Sequence, residues 1–345
     1  MNIFDIARLA GVSRKTVQRA LNGSPSVKPE TKEKIRLIME EHHYEPNATA
    51  RKLTNKRTHT IGIFIIQEEG RYQLHTDDLY FGAVIGGIIN QCTYAGYKTL
   101  ITILDVSDPD PLMSLYRQKS IDAGIVVSWS NVQDIVERAA SAGFRIAVFD
   151  QNNLNAPPAG VPVPPLDNRA AAYRAASYLL DLGHTDLAIV TGDMNIACSP
   201  ERLAGFLQAA EERGIEVPDS NIHFGRFIEQ DGAEAIRRWT SEGRLPQALF
   251  CSNDLMAYGA LRTLSELGVR VPQDISVIGF DDLLISQYMQ PPLTSVRVPR
   301  VEMAETLTAY LIETLDGDAE DAEKPIPVFQ AELAVRGSCM PAERI

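Results

Sequence analysis

Asn2-Ile-Phe-Asp-Ile-Ala-Arg-Leu-Ala-Gly-Val-Ser-Arg-Lys-Thr-Val-Gln-Arg-Ala-Leu-Asn22 reads as two short capped helices joined at Gly11, and the rest of the chain is understood from it. Asn2 is suited to cap the first helix and Asp5 to favour its positive end, while Ile3, Ile6, Leu9 and Ala10 recur at helical spacing until Gly11 breaks the pattern. Ser13 then caps a second helix. On it Val17, Ala20 and Leu21 share one face, and Arg14, Lys15, Gln18 and Arg19 take the other face or its edges. This is the pattern of a helix-turn-helix.

A basic helix alone is usually a solvated face. Here the preceding helix sets the angle of the second, so that Arg14 and Lys15 at its start can enter the major groove and donate to guanine acceptors. Gln18 is chemically suited to adenine, and Arg19 reaches a base or a phosphate.

Asp5-Ile-Ala7, Ala10-Gly-Val-Ser13, Thr16-Val17 and Arg19-Ala-Leu-Asn22 resemble the LacI/GalR family of bacterial transcriptional regulators. The resemblance implies a DNA-contacting set of Ser13, Arg14, Lys15, Thr16, Gln18, Arg19 and Asn22. Two positions depart from it. Gln18 stands where many members carry Ser, and Lys28 where a capping Ser is common, although Pro29 suits the first turn of a third helix. The operator sequence therefore does not transfer from a relative.

Charge is divided along the 345 residues. The whole carries −12, but residues 1–59 hold 12 Lys/Arg against 6 Asp/Glu, and the remainder holds 21 against 39. A phosphate-binding head on an acidic body is implied, with salt-sensitive DNA binding confined to the head. The length predicts two or three domains. Cys92, Cys198, Cys251 and Cys339 lie far apart without zinc spacing, which points to buried thiols in a reducing compartment. No apolar stretch approaches the roughly 20 residues of a membrane span, and the start lacks a basic region followed by an apolar run, so a cytoplasmic protein is expected.

Pro29 to His42 is predicted to be a third helix with Ile35, Ile38 and Met39 inward. Asn47 then caps a short segment, Ala48 to Leu53, well below the roughly 12 residues at which an isolated helix is even marginal in water. Pro46-Asn-Ala-Thr-Ala-Arg-Lys-Leu53 resembles the family's hinge helix. That resemblance implies DNA contact by Asn47 and Arg51, a dimer contact near Ala50, and a minor-groove wedge at Leu53 that unstacks a base step.

From Thr60 the pattern becomes short β-branched runs alternating with longer amphipathic segments, which implies βαβ units in two similar lobes. Expected strands are Thr60–Ile66, Thr99–Leu104, Gly124–Val127, Ile146–Phe149, Leu187–Thr191, Asn221–Phe224, Ala248–Ser252, Ile275–Phe280 and Val328–Arg336. The predicted fold is an N-terminal all-α helix-turn-helix head plus an α/β two-lobed core of parallel sheets flanked by helices. The core resembles periplasmic binding proteins. Residues 1–46 form the head, 47–59 the hinge helix and linker, 60–164 with 293–322 the first lobe, and 165–292 with 323–345 the second. An effector cleft is expected between the lobes.

In open parallel sheets a ligand sits beyond the carboxyl ends of the strands. Ser128 and Trp129 follow the third expected strand, Asp150 the fourth, Asn253 the strand ending at Ser252, and Asp281 the strand ending at Phe280. Arg202 starts a helix, and Phe227 follows the strand at Asn221–Phe224. Carboxylates, an amide, a guanidinium and aromatic faces suit a polyhydroxylated ligand. The family resemblance assigns Arg202, Asn253 and Asp281 to effector hydroxyls, Phe227 to an aromatic position and Asp150 to a pocket acid. Asp282 is expected to cap the following segment. The loop Gln67 to Tyr80 is longer and more charged than the family's, so no single sugar is implied.

The sequence lacks a phosphate-cradling Gly-rich loop, and adjacent helical residues such as His42 and His43 diverge by roughly 100°, so no cofactor or metal site is expected. The reading is a non-enzymatic regulator: a repressor that binds a palindromic operator as a dimer, with tetramers open, gated by a small sugar or sugar derivative. Two alternatives stand beside it, a sugar-binding or sugar-processing protein with an accessory DNA-binding head, and a corepressor-dependent regulator responding to a ligand such as a nucleobase.

Overall fold

The computed structural model describes residues 1–21, 24–44, 57–68, 79–128, 130–149, 157–316 and 325–342, and the chain divides into two units, Met1–His59 and Thr60–Ile345. In the first, α1 (Ile3–Ala10), α2 (Arg14–Leu21) and α3 (Pro29–Glu41) surround Ile6, Ala7, Ala10, Val17 and Ile35. Its start is reciprocal: Asn2 Oδ1 accepts from the amides of Phe4 at 2.9 Å and Asp5 at 3.2 Å, and the Asp5 carboxylate accepts from Asn2 N at 2.9 Å. Gly11 ends α1 at φ 70°, a left-handed conformation that costs glycine nothing. Ser13 Oγ accepts from Thr16 N at 3.1 Å and so caps α2. At the start of α3, Lys28 makes no capping bond, which is the structural consequence of the missing Ser. The expected hinge helix lies outside the described residues.

The second unit contains two sheets. In the first, β1 (Thr60–Gln67), β2 (Lys98–Asp105), β3 (Ala123–Ser128) and β4 (Ile146–Phe149) run parallel in the order β2-β1-β3-β4. Ile61 to Ile66 are buried without alternation, as a central strand covered on both faces requires. Among the described residues, the helices between these strands are α4 (Leu79–Tyr94), α5 (Asp110–Arg117) and α6 (Gln133–Ser141).

The second sheet has the order β10-β9-β8-β7-β5-β6, built from β5 (Leu187–Thr191), β6 (Ile222–Phe224), β7 (Ala248–Cys251), β8 (Ser276–Asp281), β9 (Thr294–Arg297) and β10 (Glu332–Ala334). Around it stand α7 (Asn168–Asp181), α8 (Cys198–Glu211), α9 (Glu229–Ser241) and α10 (Asp254–Glu266). A last helix, α11 (Arg300–Asp316), packs on α4 and touches β3 and β4.

Three features differ from expectation. The segment 293–322 divides, because β9 pairs with β8 of the second sheet and only α11 returns to the first lobe, the chain crossing at Val298 and Pro299. The strand expected over Val328–Arg336 shrinks to β10 and runs antiparallel to β9, so the sheet is not wholly parallel. Asn221 closes a 3-10 turn instead of starting β6, its amide held by Asp186 and the Leu187 carbonyl. The crossing segments lie side by side: Leu166 bridges Phe329, whose amide donates to Pro165 O at 2.8 Å. Cys92, Cys198 and Cys251 are buried free thiols and Cys339 is half-buried. Among the described residues no helix is long and apolar enough to cross a membrane.

Candidate functional site

On the head, Ser13, Arg14, Lys15 and Arg19 are exposed and Thr16 and Gln18 half-buried, so the predicted reading face is open to solvent. Arg14 and Lys15 occupy the first two positions of α2, whose first turn holds no acid. Two cations at the positive end of a helix are poorly placed for stability and well placed for an anion. Asn22, Asn47, Ala50, Arg51 and Leu53 lie outside the described residues.

In the core, strand order fixes where a ligand belongs. The order in which strands are added reverses between β1 and β3 in the first sheet and between β5 and β7 in the second, and crevices open beyond the carboxyl ends at such points. The β5/β7 point is occupied by Arg202. It lies in the second turn of α8, which starts at Cys198, earlier than the helix start expected near Glu201. Only 2% exposed, its Nε donates to Asn168 Oδ1 at 2.9 Å and its Nη1 to the Ser252 carbonyl just after β7 at 2.6 Å. Its guanidinium carbon is 3.7 Å from the Phe280 ring centroid and 5.9 Å from that of Phe227.

Asn253 caps α10 through Oδ1, which accepts from Met256 N at 2.9 Å, while its Nδ2 donates to the Phe227 carbonyl at 2.9 Å. Phe227 itself has φ 67°, held there by Asp231, whose Oδ2 accepts from the flanking amides of Arg226 and Ile228 at 2.5 and 3.2 Å. Its ring covers Gly192, where a Cβ would overlap it. Glycine at the end of β5 is thus what lets the ring approach Arg202.

Asp281 ends β8 at φ 107° and is buried, and Asp282 follows at φ 51°. Such backbone costs of order 1–3 kcal/mol per residue and persists only where surroundings enforce it. Here they do. Arg300 Nη1 donates to Asp281 O at 2.8 Å and its Nη2 to Asp282 O at 3.4 Å; Asp282 N donates to Ser295 Oγ at 3.1 Å. The Asp282 carboxylate, expected to cap, is instead paired with Arg297 at 2.7 Å and Arg336 at 2.6 Å. Below the turn, buried Asp254 accepts from Leu283 N at 2.7 Å and from the hydroxyls of Ser286 and Ser295, both at 2.6 Å. Burial, then the Asp281 carboxylate, pushes its carboxyl up to about 7.

From the first lobe, Ser128 ends β3 at the other switch point, but its hydroxyl donates to Ile66 O at 2.6 Å and accepts from Ser130 N at 2.9 Å. It ties two strand ends together. Trp129 and Asp150 lie outside the described residues, as does most of the loop from Gln67 to Tyr80. The end of that loop is informative: Tyr80, in the first turn of α4, is buried with Arg300 5.1 Å from its ring centroid. Burial pushes its hydroxyl well above the ordinary range; Asp281 adds to the shift, and Arg300 and Arg202 oppose it. Arg300 thus links the Tyr80 ring of the first lobe to the Asp281 turn of the second.

The structure thus brings together Arg202, Phe227, Asn253 and Asp281 from the predicted set. Tyr80, Arg300, Asp254, Asn168 and Asp231 were not singled out by the sequence. Tyr80 stands in the first turn of the helix after β1, beyond the reach of a rule that takes the residues just after a strand; the remaining four act on backbone or on other side chains, for which no spacing exists.

Comparison with known proteins agrees with both units. Residues 2–47 match the family profile of bacterial regulatory proteins, lacI family, and residues 176–339 that of a periplasmic binding protein-like domain. The HTH-type transcriptional repressor PurR of Haemophilus influenzae is 29% identical over 341 residues, covering 97% of this chain and 98% of its own. PurR of Salmonella paratyphi B is 30% identical over 325 residues, covering 93% and 92%. Among solved structures, a complex of the transcriptional regulator CelR with cellobiose superposes with a TM-score of 0.72 at 26% identity over 98% of this chain and 99% of that one. A lac repressor dimer bound to operator, at 23% identity, shares the fold with a TM-score of 0.79 and 99% coverage of each chain. With the helix-turn-helix and the two-sheet core joined in this order along nearly the full length of such relatives, the chain belongs to the LacI family of bacterial regulatory proteins.

Proposed function

We propose that this DNA-binding transcriptional regulator, which is not an enzyme, represses from a palindromic operator as a homodimer in the cytoplasm and is gated by a small polyhydroxylated effector. The effector is held by Arg202, Phe227, Asn253 and Asp281, with Tyr80 and Arg300 closing on it from the first lobe. The observation that carries this reading is Arg202 at the β5/β7 switch point, a buried guanidinium against the Phe280 and Phe227 rings, with the Asn253 amide bonded to the Phe227 carbonyl and buried Asp281 ending the next strand, β8. Sugars need that combination, since paired hydroxyls take bidentate partners and C–H faces take rings. The cellobiose complex of CelR supports the class.

Repression is supported by the PurR relatives, and association with a second copy by the lac repressor dimer that shares the fold. In this reading ligand shifts the two lobes, the lobes shift the dimer contacts, and these set whether the segments carrying Leu53 can pair in the minor groove. A ring beside a guanidinium also accommodates a flat heterocycle, which keeps a nucleobase corepressor as the second reading. A thermal-shift panel of sugars, sugar phosphates and nucleobases separates them, because a ligand at 100 times its Kd stabilises the fold by about 2.7 kcal/mol. A sugar hit is expected; a nucleobase hit selects the second reading, and silence across the panel removes both.

A further inference from the structure

Phe4 is out of place for an apolar residue. Ile6, Ala7 and Ala10 of the same helix are buried in the head, whereas Phe4 is 61% exposed. Its backbone is fixed all the same, because its amide donates to the Asn2 cap at 2.9 Å. Above the ring, 5.3 Å from its centroid, sits the guanidinium carbon of Arg14, the first residue of the DNA-facing helix α2. Two other arginines of the head are held differently: Arg8 pairs with Asp5, and Arg36 with Glu33 and Glu40. A carboxylate on Arg14 would neutralise it and occupy the N–H groups that a guanine edge requires. A ring face confines the side chain and leaves its in-plane donors available.

We propose that Phe4 is a specificity-positioning residue of the DNA-reading head, its ring presenting the Arg14 guanidinium to a base edge. The inference rests on Arg14 being a base reader. Its consequence is that Phe4 acts only through Arg14, so the two substitutions must not add.

The test uses the full-length protein. A preferred duplex is selected from a randomised DNA library, and affinities for it and for each single-base-pair variant are measured at fixed salt for wild type, F4L, F4Y, R14A and F4L/R14A. R14A is expected to lose about fivefold or more in discrimination at one base pair of each half-site. F4L should lose about two- to fivefold at that same base pair, F4Y should retain it, and F4L should cost nothing further in the R14A background. Losses that multiply in the double variant, an equal weakening of F4L on every duplex, or unchanged discrimination by F4L overturn the role of Phe4 alone. Unchanged discrimination by R14A overturns the base-reading assignment and the inference with it. Thermal unfolding of each variant accompanies the titration; should F4L melt early, F4M, apolar and without a ring, takes its place with the same expectations.

Discussion

The DNA-binding head and the candidate effector site are built on opposite plans. In the head, Arg14, Lys15 and Arg19 stand exposed on a helix whose fold is secured elsewhere, by the Asn2 cap, Gly11 and a five-residue apolar core. In the core, Arg202, Asn253, Phe227 and Asp281 are wholly or partly buried, two of them in left-handed backbone, and bonded into the scaffold. The ligands proposed for the two regions account for the difference. DNA is a long polyanion that many exposed cations contact at once, whereas a small solute offers few contacts and is bound well only by buried groups already held in place. Substitutions on the exposed reading face of the head should therefore change binding without changing stability, while those in the candidate site of the core should entangle the two.

The sharpest contrast lies at Asp254. Replacing it with Ala leaves Leu283 N and two serine hydroxyls without their acceptor, and urea unfolding of the core should register a loss of about 3–5 kcal/mol. A loss below 1 kcal/mol would mean that the turn carrying Asp281 does not depend on it.

The same carboxyl makes core stability depend on pH. Its folded value of about 7 stands above the ordinary 3.8, so between those limits the folded state keeps a proton that the unfolded state has released. Its contribution is full below about pH 4, falls as pH rises through 7 and then levels off. The urea midpoint of the wild type should accordingly drop between pH 5 and 7.5 more than that of Asp254→Asn, in which nothing titrates at this position. Parallel slopes would rule this out.

Lys15→Ala is expected to leave the melting temperature untouched and to reduce the slope of log K against log salt by about 1, as loss of one phosphate contact does. An unchanged slope would place Lys15 away from the backbone. The smallest effect is a gain: Lys28→Ser should cap α3 and stabilise the head by about 0.5–1 kcal/mol, read as a rise in its unfolding midpoint.

Legibility in the sequence divides along the same line. The head was readable because its determinants are local: Asn2 and Asp5 are three residues apart, as are Ser13 and Thr16, and the apolar repeat ends at Gly11. The β-branched runs likewise announced parallel strands, and the strand-end rule together with the family resemblance pointed to Arg202, Asn253 and Asp281, which the fold buries at or near the ends of β7 and β8. What stayed hidden is non-local. Thr294–Arg297 is too short and too uniform to say which sheet it joins, and pairing with β8 decided it. Asp254 meets Ser295 across 41 residues, and Arg300 reaches from a first-lobe helix to the Asp281 carbonyl 19 residues earlier. The Asp282 carboxylate was assigned a local cap because capping is visible in sequence, whereas its partners Arg297 and Arg336 are found only in space.

The burial of Arg202 and its two structural bonds make Asp281→Asn the better probe of whether the cleft governs the head, since asparagine tolerates left-handed backbone. The decisive measurement is the operator affinity of full-length wild type and Asp281→Asn, each with and without the compound that scores in the thermal-shift panel. We expect at least about a fivefold change for the wild type, the lower end of ordinary allosteric coupling, and for the variant the ligand-free affinity with no response. A variant that still responds, or one that no longer binds operator at all, would contradict the assignment of Asp281 as the anchor through which ligand commands the head.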